Sequence, residues 1–146
     1  MQLAHNTAVL VADGRKMLLL RNEGDAAHPN LVVELGEEHV NAKDSDQKSD
    51  APGRAMSQRG GRQSTVDEVD FHQQEEDRFA ADTATILRRE AEAGSFESLI
   101  VVAPPHTLGE LRKHYHVTVS EKLAGEIDKD LTGHTIPDIE KALINA

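Results

Sequence analysis

One uninterrupted apolar run limits the folds that this sequence can adopt. Residues 98–103 read SLIVVA, and Pro104-Pro105 follow directly. A strand without polar alternation has to be covered on both faces, which is typical of a central strand in an α/β sheet. The run therefore predicts a layered α/β fold with helices packed on the sheet.

Three further strands are predicted near the start of the chain, at residues 7–12, 17–20 and 31–35. Asp13-Gly14 separates the first two and is a strong signal for a tight turn, so these strands are expected to form an antiparallel hairpin. Short connections between sequential strands indicate a meander. Asp13 ends the first strand and is a candidate catalytic carboxylate, although a turn role is the simpler interpretation.

A long helix is predicted to begin between Val66 and Asp70 and to end near Gly94, since glycine is common just after a helix. Its apolar stripe has helical spacing and consists of Phe79, Thr83, Ile86, Leu87 and Ala91. Residues 107–110 read TLGE, a capping box that predicts the start of a second helix.

The sequence leaves alternatives open for the secondary structure near the end of the chain. Residues 117–123 fit either a short helix or a strand, and residues 124–132 show weak strand alternation. Thr135 before Ile136-Pro137 predicts the N-cap of a final helix, with Ile139 and Leu143 on its buried side. The order is βββ-α-β-α-β-α, which predicts a single α/β domain over residues 1–146 with a mixed sheet.

Composition excludes several kinds of site. The chain has no cysteine, which rules out disulfides and thiolate metal sites and suits a cytoplasmic location. With no tryptophan, one tyrosine and three phenylalanines, binding by base stacking on aromatic side chains is not expected. No apolar run approaches the length of a membrane span, and no signal peptide is expected. We expect no cofactor, no metal site and no membrane partner.

Residues from about 39 to 67 have no apolar periodicity, and we expect a flexible basic loop there. The loop contains Arg54, Arg59 and Gly60-Gly61-Arg62-Gln63, within a chain of net charge -10. Arginine suits phosphate oxygens, and glycine lets the backbone approach a ligand closely. The overall charge argues against DNA binding, whereas a local basic loop can dock on RNA. The alternative is a solvated loop whose arginines offset neighbouring acids.

Ordered short motifs resemble the bacterial host attachment family, the proteins required for attachment to host cells. The resemblance covers nearly the whole chain. It is carried by Val11-Ala12-Asp13-Gly14, His72 with Asp77-Arg78-Phe79-Ala80, residues 99–108 with Gly109 and Leu111-Arg112, and Lys129-Asp130-Leu131-Thr132.

That family in turn resembles the middle domain of archaeal and eukaryotic class I peptide release factors. The resemblance implies the βββαβαβα order and a Gly-Gly-Gln loop that helps water attack peptidyl-tRNA in the ribosome. Gly60-Gly61-Arg62-Gln63 occupies the corresponding place, with Arg62 inserted. It implies Gln63 as the catalytic residue, RNA contacts through the glycines and arginines, and a ribosome or tRNA partner. We expect no codon-reading domain, so any release is expected to be independent of a codon.

Other interpretations remain open at this stage. A non-catalytic binding protein with an indirect role in host attachment is the main alternative. An RNase H-like strand order would also allow a metal-dependent nuclease, but the fourth strand is not followed by an acid, and Asp128 and Asp130 are expected to face solvent. His72 in the long helix and His106 between strand and helix are candidate accessory residues.

Overall fold

A computed structural model describes residues 1–38 and 54–146, and it describes residues 54–69 by their backbone alone. The elements are β1 Ala8–Ala12, β2 Lys16–Asn22, β3 Leu31–Glu38, α1 Arg54–Glu92, β4 Leu99–Val102, α2 Pro105–His114, α3 Val117–Ser120, β5 Leu123–Ile127 and α4 Ile136–Ile144. This order confirms the predicted α/β class. It also resolves residues 117–123, where the one-turn helix α3 is followed by the start of β5.

The five strands form one mixed sheet in the order β3-β2-β1-β4-β5. β1 pairs antiparallel with β2, and β2 pairs antiparallel with β3, as the hairpin at Asp13-Gly14 predicted. β4 lies parallel to both β1 and β5. The apolar run at residues 98–103 therefore supplies a strand with neighbours on both sides, and every residue of β4 is buried.

Alternation along the central strands divides the core between the two faces of the sheet. Leu10 and Val101 contribute to a cluster that contains the buried residues of α1, α2 and α3. Val9 and Ile100 point the other way, into a cluster that contains Ile139 of α4. Both faces are thus covered by helices, and the carboxyl ends of the parallel strands lead into α2 and toward α4.

The start of α1 was predicted wrongly. The helix begins at Arg54, at least 12 residues before the predicted boundary, so the part of the predicted basic loop from 54 to 67 is helical. The rest of that loop, residues 39–53, lies outside the described residues. Alanine, methionine, glutamine and arginine dominate the extension and favour helix, whereas each glycine costs only about 1 kcal/mol. Elongating a helix that is already anchored by packing avoids the cost of nucleation.

The end of α1 confirms the role predicted for Gly94. Its φ is +74°, in the left-handed region that glycine adopts most readily. The Gly94 N–H donates to the Ala91 carbonyl at 3.1 Å, and the Ser95 N–H donates to the Glu90 carbonyl at 2.9 Å. These two bonds form a Schellman motif, which satisfies carbonyls that the helix end would leave unpaired.

The two predicted N-caps have different outcomes. The Thr135 hydroxyl accepts the Asp138 N–H at 3.3 Å, which confirms the cap of α4. The capping box at residues 107–110 was wrong, because α2 begins at Pro105 and its N-cap is Pro104, with no side-chain bond. Thr107 is instead a buried residue inside the first turn. Proline at the first helical position needs no N–H partner and is well suited to this start.

Candidate functional site

The residues predicted to bind RNA and to catalyse release all lie in the first third of α1, where the structure describes backbone only. They are Arg54, Arg59, Gly60, Gly61, Arg62 and Gln63. They belong to the same continuous helix as His72 and Asp77. A rise of 1.5 Å per residue puts Gln63 about 21 Å along the axis from Asp77. The structure therefore does not bring Gln63 and the His106 region into one site.

A cluster of polar side chains joins α1 to α2 further along the helix. His106 is the second residue of α2, and its Nε2 atom lies 3.1 Å from Asp77 Oδ1 on α1. The terminal nitrogen of the Gln73 amide lies 2.9 Å from the same carboxylate oxygen and 2.6 Å from His106 Nε2. Three polar atoms from two helices therefore meet in one small triangle.

Glu110 extends this cluster by one turn of α2. Its carboxylate, the Asp77 carboxylate and the His106 ring place one ligand atom each within 4.8 Å of one another. Lys113 donates to Glu110 Oε1 at 2.8 Å. That hydrogen bond and the charge of Glu110 raise the pKa of Lys113, to which the charge of Asp77 adds. Together with Gln73, these four residues form a polar surface that carries both signs of charge. We call the five residues Gln73, Asp77, His106, Glu110 and Lys113 the α1–α2 cluster.

The Asp77 carboxylate is held in its ionised form. Burial raises its pKa, but hydrogen bonds from His106 and Gln73, together with the charges of His106 and Lys113, leave the pKa below its ordinary value. The exposed fractions of the Asp77 and His106 side chains are 37% and 57%, so water screens the pair and its contribution to stability is small. The cluster is thus accessible to a ligand and is not a buried structural ion pair.

Of the two histidines named from the sequence, only His106 belongs to this cluster. His72 is half-buried on α1, where its ring meets the Phe71 ring edge to face with centroids 6.0 Å apart. Gln73 and Glu110 were missed as site residues. Gln73–Asp77 and His106–Glu110 are both i, i+4 pairs, a spacing that places each pair on one helix face. Only the tertiary structure shows that the two faces meet.

A second polar group lies between α2 and β5. The Arg112 guanidinium donates to Glu126 at 2.9 and 3.1 Å, and the Tyr115 hydroxyl donates to the other oxygen of Glu126 at 3.2 Å. Burial raises the pKa of Tyr115 well above its ordinary value, and the neighbouring charge of Glu126 raises it further, while Arg112 opposes the shift. We interpret this group as a structural contact that holds the C-terminal end of α2 against β5.

Asp13 has the turn role that the sequence favoured. Its Oδ1 atom accepts the N–H groups of Arg15 and Lys16 at 2.7 Å each, which closes the β1–β2 turn. Its other oxygen accepts the Thr132 hydroxyl at 2.9 Å. Asp128 and Asp130 are exposed, as expected. Because both oxygens of Asp13 are engaged, the geometry gives no support to a nuclease centre there.

Comparison with known proteins adds one finding. The model of a family described as bacterial archaeo-eukaryotic release factor family 12 matches residues 6–143. No curated protein matches the sequence. Among the described residues, no helix has the length and apolar character that crossing a membrane requires.

Proposed function

Because this chain belongs to bacterial archaeo-eukaryotic release factor family 12, we propose that it acts on or near the ribosome. The proposed reaction is hydrolysis of peptidyl-tRNA without a codon being read, as in rescue of a stalled ribosome. The family match supports this proposal most, because its span includes Gly60-Gly61-Arg62-Gln63. The likeness of that motif to a Gly-Gly-Gln loop assigns the catalytic role to Gln63.

The charge distribution along α1 supports an RNA partner. Residues 54–63 contain three arginines and no acid, whereas residues 67–77 contain six acids and no Lys or Arg. The two segments lie on one helix, so positive charge is concentrated at its N-terminal end. Arginine forks contact phosphate oxygens without regard to sequence. This end of α1 is therefore the part of the chain best suited to a ribosomal RNA or tRNA backbone.

The proposed chemistry is an ester hydrolysis. A water oxygen bonds to the ester carbonyl carbon, negative charge develops on the carbonyl oxygen, and the bond to the ribose oxygen breaks. The water gives up one proton, and the ribose oxygen leaves as a hydroxyl after gaining one. Gln63 would orient the water, and backbone N–H groups near Gly60-Gly61 would stabilise the oxyanion.

The helical state of this segment sets a condition on that chemistry. Inside an α-helix, the N–H groups of Gly60 and Gly61 point at carbonyls four residues earlier and are not available to an oxyanion. The proposal therefore requires α1 to open around the glycines when the protein binds its target. Two adjacent glycines make this the least costly place to open, since each is about 1 kcal/mol less favourable in a helix than alanine.

The same observation favours a second candidate function, in which the chain binds without catalysis. Arg62 separates Gln63 from the glycines, which rotates the backbone position of Gln63 by about 100° around the helix axis relative to the position directly after the glycines. A helix that stays closed would present arginines to RNA or another partner and leave no oxyanion site. An indirect role in attachment to host cells belongs to this alternative.

The deciding experiment measures release of a labelled peptide from peptidyl-tRNA on ribosomes stalled without a stop codon. We expect the wild type to release peptide and Gln63→Ala to bind ribosomes equally well but to lose release. A group that acts mainly in the transition state affects rate and not binding. Gln74→Ala is the matched control, because it removes an exposed amide from the same helix.

Each outcome separates the two candidate functions. Equal release by wild type and Gln63→Ala would refute the catalytic role of Gln63. Ribosome binding by a wild type that releases nothing would establish the binding alternative. Absence of both binding and release would reject the ribosome as the partner.

A further inference from the structure

The α1–α2 cluster contains a geometric conflict among its polar atoms. Gln73, His106 and Asp77 each place one polar atom in a triangle with sides of 2.6, 2.9 and 3.1 Å. A carboxylate oxygen only accepts hydrogen bonds, whereas an imidazole nitrogen either donates or accepts, and an amide presents either its nitrogen or its oxygen. Three atoms that each have one role cannot form three donor–acceptor pairs.

As long as Asp77 is ionised, every arrangement of the remaining protons therefore leaves one unfavourable contact. If the Gln73 nitrogen donates to both neighbours, the lone pair of His106 Nε2 faces the Asp77 oxygen. If His106 Nε2 carries a proton, it conflicts with the Gln73 N–H group. Turning the amide removes that conflict and places the Gln73 oxygen against the Asp77 oxygen. Hydrogen bonds within the triangle cannot remove the conflict.

A metal cation resolves the conflict completely. With the amide oxygen turned inward and His106 neutral, all three atoms present lone pairs to the same point. Glu110 adds a second carboxylate, which lies within 4.8 Å of the Asp77 and His106 ligand atoms. We propose that Asp77, His106 and Glu110, with the Gln73 amide oxygen as a fourth ligand, bind a divalent transition-metal ion such as Zn²⁺. This proposal does not depend on the proposed function.

The distances suit such an ion. Ligands about 2.0–2.2 Å from Zn²⁺ in a tetrahedron lie about 3.4 Å from one another. His106 Nε2 and Asp77 Oδ1 are 3.1 Å apart, and the Glu110 ligand atom, which lies within 4.8 Å of both, needs to move closer by at most about 1.4 Å. Half-exposed side chains on neighbouring helix turns can move that far without disturbing the core.

The ligand set also indicates which cations are selected. One imidazole nitrogen with carboxylate and amide oxygens is suited to Zn²⁺ and similar borderline ions. Mg²⁺ prefers oxygen ligands and keeps most of its waters, so it gains little from His106. No cysteine is involved, so the ligand set lacks the paired-cysteine spacing from which zinc sites are usually predicted. The ligands come from two helices, at positions 73 and 77 and at positions 106 and 110.

The Lys113 ammonium group competes with a metal ion for the Glu110 carboxylate. It donates to Glu110 Oε1 at 2.8 Å and supplies a positive charge that the metal would replace. Removing this charge should make the carboxylates better ligands. Lys113→Met is therefore expected to bind Zn²⁺ more tightly than the wild type, a gain that general damage to the fold would not produce.

The test is calorimetric titration of the whole chain with ZnCl₂, and with MgCl₂ as a second arm. We expect His106→Gln and Asp77→Asn each to weaken Zn²⁺ binding about ten-fold or more. Changing a group that only orients a metal ligand already lowers metal affinity by about this factor, and these two side chains are proposed to bind the ion directly. His114→Gln is the matched control, because His114 is an exposed histidine at the end of α2 outside the cluster. Lys113→Met should strengthen binding, and Mg²⁺ should not compete.

Equal losses in His106→Gln and His114→Gln would show scattered surface binding, since the chain has eight histidines. That result would overturn the proposal, as would wild-type affinity in His106→Gln. A thermal melt with and without Zn²⁺ gives an independent measurement. The ion would connect α1 to α2 and raise the midpoint of the wild type by mass action, but not that of His106→Gln.

Discussion

At the scale of single residues, Tyr115 is the clearest internal reporter of this fold. It is the only tyrosine in the chain, and there is no tryptophan. Its ring packs against the core cluster that contains the buried residues of α1, and its hydroxyl donates to Glu126 on β5. Burial and the nearby carboxylate both oppose ionisation of this hydroxyl and raise its pKa. Any tyrosinate signal from the protein therefore comes from one defined site.

This raised pKa makes stability depend on pH in the alkaline range. Unfolded tyrosine ionises near its ordinary value of 10.0, where the folded form still holds its proton. The folded state then binds more protons than the unfolded state, so the free energy of unfolding falls as pH rises above that value. We expect tyrosinate absorbance to appear in the native protein only well above pH 10.0, and together with unfolding.

Tyr115→Phe is the control for this prediction. It keeps the ring and removes the ionising group, so its free energy of unfolding should decline less steeply in the same pH range. Ionisation of the folded wild type at the ordinary value would contradict the buried position of the hydroxyl.

Single residues also show which features of the structure can be predicted from sequence patterns and which cannot. The Thr135 cap, the Gly94 stop and the turn at Asp13 were all predicted correctly, because each depends on partners within a few positions. The contact between His106 and Asp77 spans 29 positions and could not be predicted this way. Such a contact depends on how two helices pack, which no local spacing determines.

At the scale of elements, two glycines at helix positions allow a matched comparison. Gly94 ends α1 with a φ of +74°, whereas Gly109 lies inside α2. A Cβ atom added at either position would meet no atom within 4 Å. Steric clashes are therefore excluded for both, and only the backbone preference of the new residue matters.

We expect Gly94→Ala to destabilise the protein by about 1 kcal/mol, because alanine is strained in the left-handed region. Gly109→Ala should stabilise it by about 0.5–1 kcal/mol, because alanine is the better helix former. Chemical denaturation followed by circular dichroism measures both changes. Opposite signs support the Schellman end of α1, and a stabilising Gly94→Ala would refute it.

The N-terminal boundary of α1 shows why helix starts are difficult to predict. The predicted face of the helix was right, since Phe79 and Leu87 are buried, but the predicted start was at least 12 residues too late. The segment before it has no apolar periodicity, and a glycine pair interrupts it. Periodicity reports packing against a core, so a helical segment that lacks an apolar stripe gives no such signal.

At the scale of the whole molecule, the fold class followed from one strand that had to be covered on both sides. β1 and β4 supply alternate residues to two core clusters, with α1 to α3 on one face of the sheet and α4 on the other. The apolar content of residues 98–103 therefore predicted the layers, and the turn signals predicted the meander. The residues of the proposed RNA contact and the proposed catalytic Gln63 did not follow from this layering, because they lie on α1 and not at the strand ends.

The whole-molecule charge bears on the proposed partner. The net charge of -10 repels polyanions at long range, while three arginines are concentrated in residues 54–63. Screening at physiological salt limits the repulsion to about 8 Å, so the arginine segment can dock where the remaining surface cannot. This arrangement predicts binding in one orientation, with the N-terminal end of α1 toward the RNA.

The final prediction compares two arginine triples on that helix. Changing Arg54, Arg59 and Arg62 to Gln should weaken ribosome binding and reduce the slope of log affinity against log salt by about 2 to 3, since each lost phosphate contact removes about 0.7–0.9. The matched variant changes Arg78, Arg88 and Arg89, which are exposed on the C-terminal half of α1, where Arg78 pairs with Glu75 and Arg88 with Glu92.

Both triples change the net charge by the same three units, so they separate a local contact from a general electrostatic effect. Exposed ion pairs contribute little to stability, and the second triple should remain folded and bind ribosomes with nearly the wild-type salt slope. Sedimentation with ribosomes across a range of salt concentrations measures both slopes. Equal slopes for the two variants would mean that total charge controls binding and that the arginines at the start of α1 have no special role.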